Sequence, residues 1–251
     1  SNYFSLNYLV KLIIMQNQKC ITEIAGLWAE NKRLFVKKST LSAYLLLIEN
    51  HLNPAFGKER KITENEIQEF VFKKLEKGLS QKTIKDILIV LKMILKFGSK
   101  NNWIEFNHFD VQFPTEREAI SLEVLSRNNQ RKIMNHIVEN FSFKNLGVFI
   151  CLSSGIRIGE ICALKWEDID LDSEIICIRR TLQRIYNIEK GNRRTELIID
   201  SPKTKNSIRE IPLSKELLKM LKPIKKVVNN SFYVLTNDSK PTEPRTYRCF
   251  Y

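Results

Sequence analysis

Apolar side chains recur at helical spacing through the first hundred residues, and this pattern predicts four helices with short connections. The first helix carries its apolar face from Ile21 to Trp28. The second extends from Thr40 to Leu52 and is expected to end at Asn53-Pro54, because a residue before proline avoids helical backbone angles. Both helices thus offer an apolar stripe to a shared core.

Capping residues indicate where the third and fourth helices begin and where the third ends. Thr63 and Glu66 have the spacing of a capping box, in which each side chain binds the backbone N–H of the other residue. Lys77-Gly78 supplies the end of that helix. Ser80 then opens a long fourth helix, which is expected to end near Lys100.

Four segments follow from this pattern. Residues 1–19 are an N-terminal extension, and residues 20–108 form the helical unit. Residues 109–118 contain a proline and mixed charges without helical period, which is typical of a linker. Residues 119–251 then form a second domain.

The second domain is predicted to begin with a short strand, which three helices follow. Residues 119–125 alternate roughly and predict a short strand, and a helix follows from Arg127 to about Asn140. A further helix over 144–153 is almost wholly apolar and is expected to be buried on most sides. A short helix is predicted over 158–164.

Strands dominate the next part of this domain. They are predicted over 175–178, 196–201 and 208–213, and the last two flank 202–207 as the tip of a hairpin. The remaining elements are a helix capped by Ser214 and ended by Pro223, and one more short strand over 232–236. The predicted fold class is therefore mainly α with a small antiparallel sheet (α+β).

Composition narrows the class of partner. The 251 residues include 41 Lys+Arg against 28 Asp+Glu, a net charge of +13, which favours a polyanion such as nucleic acid over a neutral partner. A basic protein without a particular partner remains an equal alternative on charge alone. The five cysteines are scattered without a Cys-x-x-Cys pair and the three histidines are isolated, so neither a metal nor a disulfide framework is expected.

No apolar run approaches the ~20 residues of a membrane span, and no signal peptide is evident, so a cytoplasmic protein without a membrane partner is expected. Lysines crowd the polar faces of the first unit. Taken singly they are ordinary solvated helix residues, but together they could line a DNA backbone. The candidate DNA-binding residues of this unit are Lys37, Lys38, Lys82, Lys85 and Lys92.

The strongest chemical candidate is Arg157, which lies among apolar residues between Gly155 and Gly159. A cation is costly in such a place unless an anion meets it, and a guanidinium matches phosphate oxygens with a planar fork of donors. Glu160 follows three residues later and could hold the guanidinium in one rotamer. A purely structural pair of Arg157 and Glu160 near a helix start is an equal alternative.

Lys203 is the second candidate, at the predicted hairpin tip. An ammonium there could give a proton to a departing alkoxide, as a general acid does. A solvated turn lysine is the commoner alternative. Lys205 and Arg209 are close enough in sequence to compete for this role or to contact phosphates.

Two sequence boxes resemble the tyrosine recombinase (phage integrase) family, and the integrases of conjugative transposons and related mobile elements most. Residues 154–160 with 164–170 resemble its first catalytic-arginine box. Residues 201–205 followed by 208–213 resemble its lysine box, in the same order and at similar spacing. The resemblance covers roughly residues 20–251, with 20–108 as a core-binding domain and 119–251 as the first part of a catalytic domain.

The resemblance implies a role for each candidate. Arg157 is the first of two arginines that clamp the scissile phosphate, Glu160 supports it, and Lys203 protonates the 5′-hydroxyl leaving group. The implied activity is site-specific DNA cleavage and rejoining through a 3′-phosphotyrosine, with double-stranded DNA as partner and no cofactor. The implied full-length assembly is a homotetramer on DNA, whereas the fragment could be a monomer.

One departure from the family is evident. The family places a His-x-x-Arg box and the nucleophilic tyrosine downstream of the lysine box, but no histidine follows His136, and Tyr247 and Tyr251 come too early. We therefore expect a fragment without its C-terminal catalytic segment, which binds duplex DNA but is inactive alone and forms no covalent adduct. The alternatives are a non-catalytic DNA-binding regulator derived from an integrase, and a protein-interaction module.

Overall fold

The computed structural model describes residues 17–115, 124–187, 194–201 and 208–250. The chain forms two compact units. The first contains the described residues up to 115 together with 186, 187 and 194, and the second contains those from 124 to 185 and those beyond 194. Each unit has its own hydrophobic core.

The first unit is helical. Its helices are α1 (Ile21–Arg33), α2 (Lys38–Leu47), α3 (Asn53–Phe56), α4 (Glu64–Glu76) and α5 (Gln81–Lys100), with a π-helical turn over Ile48–Leu52. The predicted capping box is present, because Thr63 N donates to Glu66 Oε2 at 2.7 Å and Glu66 N donates to Thr63 Oγ1 at 3.3 Å. Ser80 accepts from Thr83 N and caps α5 as predicted.

The prediction that the second helix ends at Asn53-Pro54 is wrong. The chain continues through the π-helical turn into α3, where Pro54 lies in the first turn. Proline is tolerated in the first turn of a helix because a residue there does not donate its N–H to a carbonyl of the same helix. The apolar face of α5 closes the core of this unit, with Ile84, Ile87 and Leu91 fully buried.

The segment after α5 packs on the first unit. Phe109 is buried in its core. The side chain of Gln68 binds Gln112 twice, donating to its carbonyl at 3.0 Å and accepting from its N–H at 2.8 Å. Gln81 donates to the Pro114 carbonyl at 2.6 Å. Residues 109–114, which the sequence placed in a linker, therefore have fixed backbone partners on α4 and at the start of α5.

The second unit combines helices with short strands. Its helices are α6 (Arg127–Glu139), α7 (Phe143–Ser154), α8 (Ile158–Ala163), α9 (Lys215–Lys225) and α10 (Pro244–Phe250). Its strands are β1 (Ile169–Asp170), β2 (Ile175–Ile178), β3 (Thr181–Tyr186, whose last residue is counted in the first unit), β4 (Thr195–Asp200) and β5 (Arg209–Pro212). The mainly helical fold with small sheets is as predicted. No helix within the described ranges combines the length and apolar character of a membrane span.

The strand pairing differs from the predicted hairpin. The order β1-β2-β5 forms one sheet, with Ile176 opposite Ile211 and Ile178 opposite Arg209 in antiparallel register. Strand β4 pairs with β3 in a separate two-stranded sheet. The strand β3 was missed in the sequence. Next to its pairing with β4, Asn187 N donates to Arg194 O at 2.7 Å. The proposed hairpin tip 202–207 lies outside the described residues.

Three smaller predictions also need correction. Pro223 lies inside α9, which ends two residues later, so the missing N–H affects only the final turn. Residues 232–236 form turns with isolated bridges at Tyr233 rather than a strand. Of the predicted strand 119–125, only residues 124 and 125 are described, and they are irregular.

Candidate active site

Arg157 lies where two helices of the second unit meet. Helix α7 ends at Gly155, which has a left-handed backbone (φ +64°) that glycine adopts without steric cost. Arg157 then occupies the N-cap position of α8. Its side chain is 73% exposed. The turn at Gly155 thus places a guanidinium at the surface.

The buried side chain of Glu160 binds the exposed guanidinium of Arg157. The Glu160 side chain is only 4% exposed. Its Oε2 accepts the Arg157 backbone N–H at 2.9 Å, and its Oε1 accepts Arg157 Nη1 at 3.2 Å. Arg209 on β5 binds both oxygens as well, with Nη1 to Oε1 at 3.0 Å and Nη2 to Oε2 at 2.9 Å. We call Glu160, Arg157 and Arg209 the Glu160 cluster.

The charges of the Glu160 cluster reinforce one another. Burial raises the pKa of Glu160, but the hydrogen bonds from Arg209 and from the Arg157 backbone, with the nearby positive charge, outweigh it and hold the pKa below its ordinary value. The hydrogen bond to Glu160 raises the pKa of Arg209. One carboxylate therefore stays ionised between two cations, and the cluster carries a net positive charge.

Gly159 allows α8 to approach strand β3. A Cβ at this position would come within 2.6 Å of Thr181 Oγ1 and 2.8 Å of the Leu182 carbonyl oxygen. Only glycine avoids this overlap without a shift of the backbone. The close approach fixes the position of Glu160, the next residue along the helix.

A second buried carboxylate, Asp168, was not predicted. Its Oδ2 accepts the Lys165 backbone N–H at 3.0 Å and Arg180 Nη2 at 2.6 Å, and the same guanidinium reaches Glu167 Oε1 at 3.1 Å. Asp168 is 2% exposed. We call Asp168, Lys165, Glu167 and Arg180 the Asp168 cluster. Its available signal was spacing: both carboxylates follow a basic residue by three positions.

The other predicted site residues are placed as follows. Lys203 and Lys205 lie outside the described residues. The five candidate lysines belong to the first unit, whereas the Glu160 cluster belongs to the second. Lys85 Nζ lies 5.0 Å from the ring centre of Phe113, and Lys92 Nζ lies 4.6 Å from that of Phe109. Lys82 is exposed on the first turn of α5, and Lys37 and Lys38 lie at the start of α2.

The described tyrosines near the end of the chain have packing roles. Tyr247 is 1% exposed, and its hydroxyl donates to the Lys144 carbonyl at 2.8 Å. Tyr233 is also buried, where its ring faces Lys165. Within the described ranges, no group of three or more His, Cys, Asp or Glu residues could hold a metal ion.

The chain is similar to known recombinases. It is 31% identical over 164 residues to a XerC-like tyrosine recombinase of Caldanaerobacter subterraneus, covering 62% of this chain and 41% of that protein. It is 26% identical to the ICEBs1 integrase of Bacillus subtilis, covering 74% of this chain and 49% of that protein. The chain thus spans less than half the length of these two relatives.

Two solved structures share the fold. The integrase of transposon Tn1549, in complex with transposon right end DNA, matches with a TM-score of 0.63 and 23% identity over 82% of this chain and 66% of that one. A lambda integrase tetramer bound to a Holliday junction matches with a TM-score of 0.64 and 15% identity over 96% of this chain and 67% of that one. Both comparisons concern the fold alone.

Two family models match the chain in the order of its two units. The model of the phage integrase N-terminal SAM-like domain matches residues 21–75. The model of the phage integrase family matches residues 123–250, just over half of the chain, and this range contains the whole Glu160 cluster. The chain therefore belongs to the phage integrase family.

Proposed function

We propose that this chain grips a phosphate of duplex DNA through Arg157, as part of a site-specific tyrosine recombinase that moves a mobile element. The observation that carries the proposal is an exposed guanidinium held from below by a buried carboxylate. Within the described part of the chain, Arg157 binds Glu160 through its backbone N–H and its Nη1, and the outer edge of the guanidinium is open to phosphate oxygens.

The proposed chemistry is phosphoryl transfer. The phenolate of a tyrosine of the whole protein attacks the phosphorus, the bond between the phosphorus and the 5′ oxygen breaks, and the leaving oxygen takes a proton from the Lys203 ammonium. The products are a 3′-phosphotyrosine and a free 5′-hydroxyl. Arg157 neutralises charge on the phosphate oxygens during the step, and Glu160 keeps the arginine in position. These roles need no metal, because the cations come from side chains.

The relatives support a role on DNA. The Tn1549 and lambda integrases were solved with DNA, and Tn916 has a transposase that is 24% identical to this chain over 167 residues. We extend this to the domains: residues 20–108 bind the DNA core site with Lys37, Lys38, Lys82, Lys85 and Lys92, and residues 119–251 contribute the catalytic arginine. Lys205 is proposed to contact the backbone, and the whole protein to act as a homotetramer.

Fluorescence anisotropy with a labelled duplex tests the DNA contact on the chain as it is. The affinity is expected to fall steeply with added salt, since each phosphate contact releases counterions. Arg157→Ala is expected to weaken binding about fivefold and to lower the salt slope by about one contact. The matched control is Arg131→Ala, which removes an exposed arginine from α6.

Two results would contradict the proposal. One is an affinity too weak to measure at low salt, which would remove DNA as the partner. The other is an equal effect of Arg157→Ala and Arg131→Ala, which would reduce Arg157 to one contributor to the general positive charge.

A further inference from the structure

We propose that Arg209 is a positioning residue that orients Arg157 by fixing the carboxylate between them. This inference rests on the proposed function of Arg157. It reassigns Arg209, which the sequence offered as a phosphate contact, on the basis of where its guanidinium lies. Arg209 is paired in register with Ile178 of β2, so its backbone is held by a sheet rather than by a free loop.

The geometry gives Arg209 control over Glu160. Its two Nη atoms bind the two carboxylate oxygens at 3.0 and 2.9 Å, the parallel arrangement that makes arginine–carboxylate pairs geometrically specific. The terminal torsion of a glutamate is otherwise broad. A fork on both oxygens fixes the plane of the carboxylate, and the same Oε1 then accepts Arg157 Nη1 at 3.2 Å.

Arg157 needs this help because it is exposed. A long side chain with 73% exposure samples many rotamers, and ordering it costs conformational entropy. A carboxylate of fixed orientation restricts those rotamers before any phosphate arrives. Preorganisation of this kind improves binding by lowering the cost of ordering.

Arg209 also sets the charge of the site. A lone pair of Arg157 and Glu160 would be neutral, and the carboxylate would compete with DNA phosphate for the guanidinium. Arg209 supplies a second cation to the same carboxylate, so the cluster retains one net positive charge. Arg157 can thus be held by Glu160 and still attract an anion.

Arg180 of the Asp168 cluster is a closely matched control. The side chains of Arg180 and Arg209 are both 28% exposed, and each binds a buried carboxylate of the second unit, Asp168 or Glu160. Arg180 has its hydrogen bonds to Asp168 and Glu167, and the described contacts of Glu160 do not include it. A change at Arg180 therefore removes a similar ion pair without touching the anchor of Arg157.

The first measurement needs no DNA. The chain is labelled with ¹³C at glutamate carboxyl carbons, and the resonance of Glu160, assigned with Glu160→Gln, is titrated with pH. Arg209→Met is expected to raise the pKa of Glu160, whereas Arg180→Met is expected to leave it unchanged. Equal values in the wild type and Arg209→Met would overturn the proposal, because Arg209 would then exert no hold on the carboxylate.

The second measurement is a double-mutant cycle in duplex affinity with Arg157→Ala and Arg209→Lys. Lysine keeps the positive charge but cannot bind both oxygens as a fork. If Arg209 acts through Arg157, Arg209→Lys weakens binding about threefold alone and has little further effect once Arg157 is alanine. The pair Arg157→Ala and Arg180→Lys is expected to show no coupling.

The outcomes separate the two proposals. A normal loss on Arg157→Ala with simple additivity in the double variant would show an independent phosphate contact at Arg209 and overturn its positioning role alone. An unchanged affinity in Arg157→Ala would overturn the proposed function itself, together with any role of Arg209 in DNA binding.

Discussion

Two buried carboxylates, Glu160 and Asp168, lie eight positions apart and are built on the same backbone device. Each accepts the N–H of the residue three positions earlier, at 2.9 Å from Arg157 and 3.0 Å from Lys165, and each binds an arginine from the sheet region. They differ in what the earlier residue does with its side chain. Arg157 returns to its own carboxylate and stays exposed, whereas Lys165 turns to the ring of Tyr233, 5.4 Å away.

The carboxylates are also satisfied to different degrees. Both oxygens of Glu160 accept two hydrogen bonds each. In the Asp168 cluster, Oδ1 of Asp168 and Nε of Arg180 are buried without a hydrogen-bond partner in the described part of the chain. We call the Asp168 pair closed, because its arginine is largely buried and fixes one backbone turn against another. We call the Glu160 pair open, because it displays the cation of Arg157 at the surface. The same device therefore serves structure in one place and a surface charge in the other.

Trp166 lies between Glu160 and Asp168 in sequence, and its replacement should disrupt both clusters. The indole is fully buried, packs edge-on against Phe143, and donates its N–H to Asn237 Oδ1 at 3.2 Å. Trp166→Ala is expected to cost about 3–5 kcal/mol of unfolding free energy of the second unit, because a large cavity opens in its core. Urea unfolding followed by hydrogen exchange measures the loss unit by unit.

The control for Trp166 is Trp103 of the first unit, which is half-buried against Phe97. Trp103→Ala should lower protection in the first unit and leave the second unchanged. If Trp166→Ala lowered protection from hydrogen exchange in both units, its effect would not be confined to the second unit.

The next largest loss of stability is expected when the buried carboxylate of either cluster is replaced by its neutral amide. Glu160→Gln leaves two guanidiniums facing each other, and Asp168→Asn leaves Glu167 as the remaining charged partner of Arg180. Each is expected to cost about 2 kcal/mol at neutral pH, since both remove hydrogen bonds to a charged group. Only Glu160→Gln should also weaken DNA binding.

The pH dependence of Glu160→Gln has a defined sign. The pKa of Glu160 in the folded chain is below its ordinary value of 4.5, so its stabilising effect is complete above that value and is lost as the pH falls through the folded-state pKa. The gap between wild type and Glu160→Gln should therefore be widest at neutral pH and narrow in acid. Urea midpoints across the acid range measure it, and a constant gap would contradict the assigned charge.

Prediction from the sequence succeeded where the signal was local. The capping box, the serine caps and the helical periods are set by residues within one or two turns, so the bounds of α4, α5 and α6 followed from them. The choice of Arg157 with Glu160 was also local, at three residues' separation. Their contact is present, and the catalytic role of the pair stays a prediction.

Prediction failed where pairing was between distant residues. Arg209 meets Glu160 across 49 positions, and Arg180 meets Asp168 only because the chain reverses between β1 and β2, which pair antiparallel. No period or cap encodes such a meeting. The hairpin of 196–201 with 208–213 failed for the same reason, because β4 found the unpredicted β3 and β5 found β2. The turn residues that suggested that hairpin do not encode which strands finally pair.

A smaller effect is expected at Gly155, the turn that presents Arg157. Its φ of +64° is unfavourable for residues with a Cβ, although a Cβ there would meet no other atom within 4 Å. Gly155→Ala should therefore cost about 1 kcal/mol through backbone strain alone, and Gly155→Asn less, because asparagine tolerates this conformation better. Thermal unfolding of the two variants checks the order, and an equal or larger cost for asparagine would contradict it.

The smallest effects on stability are expected at Arg157 and Lys165, the two residues whose side chains differ between the clusters. Arg157 is 73% exposed, so its ion pair with Glu160 is screened by water, and Arg157→Ala should change the unfolding free energy by less than about 1 kcal/mol. Lys165→Ala should also have a small effect, since it loses a single contact with Tyr233, worth about 0.5–1 kcal/mol at most. DNA affinity should divide the two variants, with a clear loss for Arg157→Ala and little for Lys165→Ala. Equal losses of affinity would mean that the turn at Lys165 also displays its cation to DNA, and the contrast between an open and a closed carboxylate would then fail.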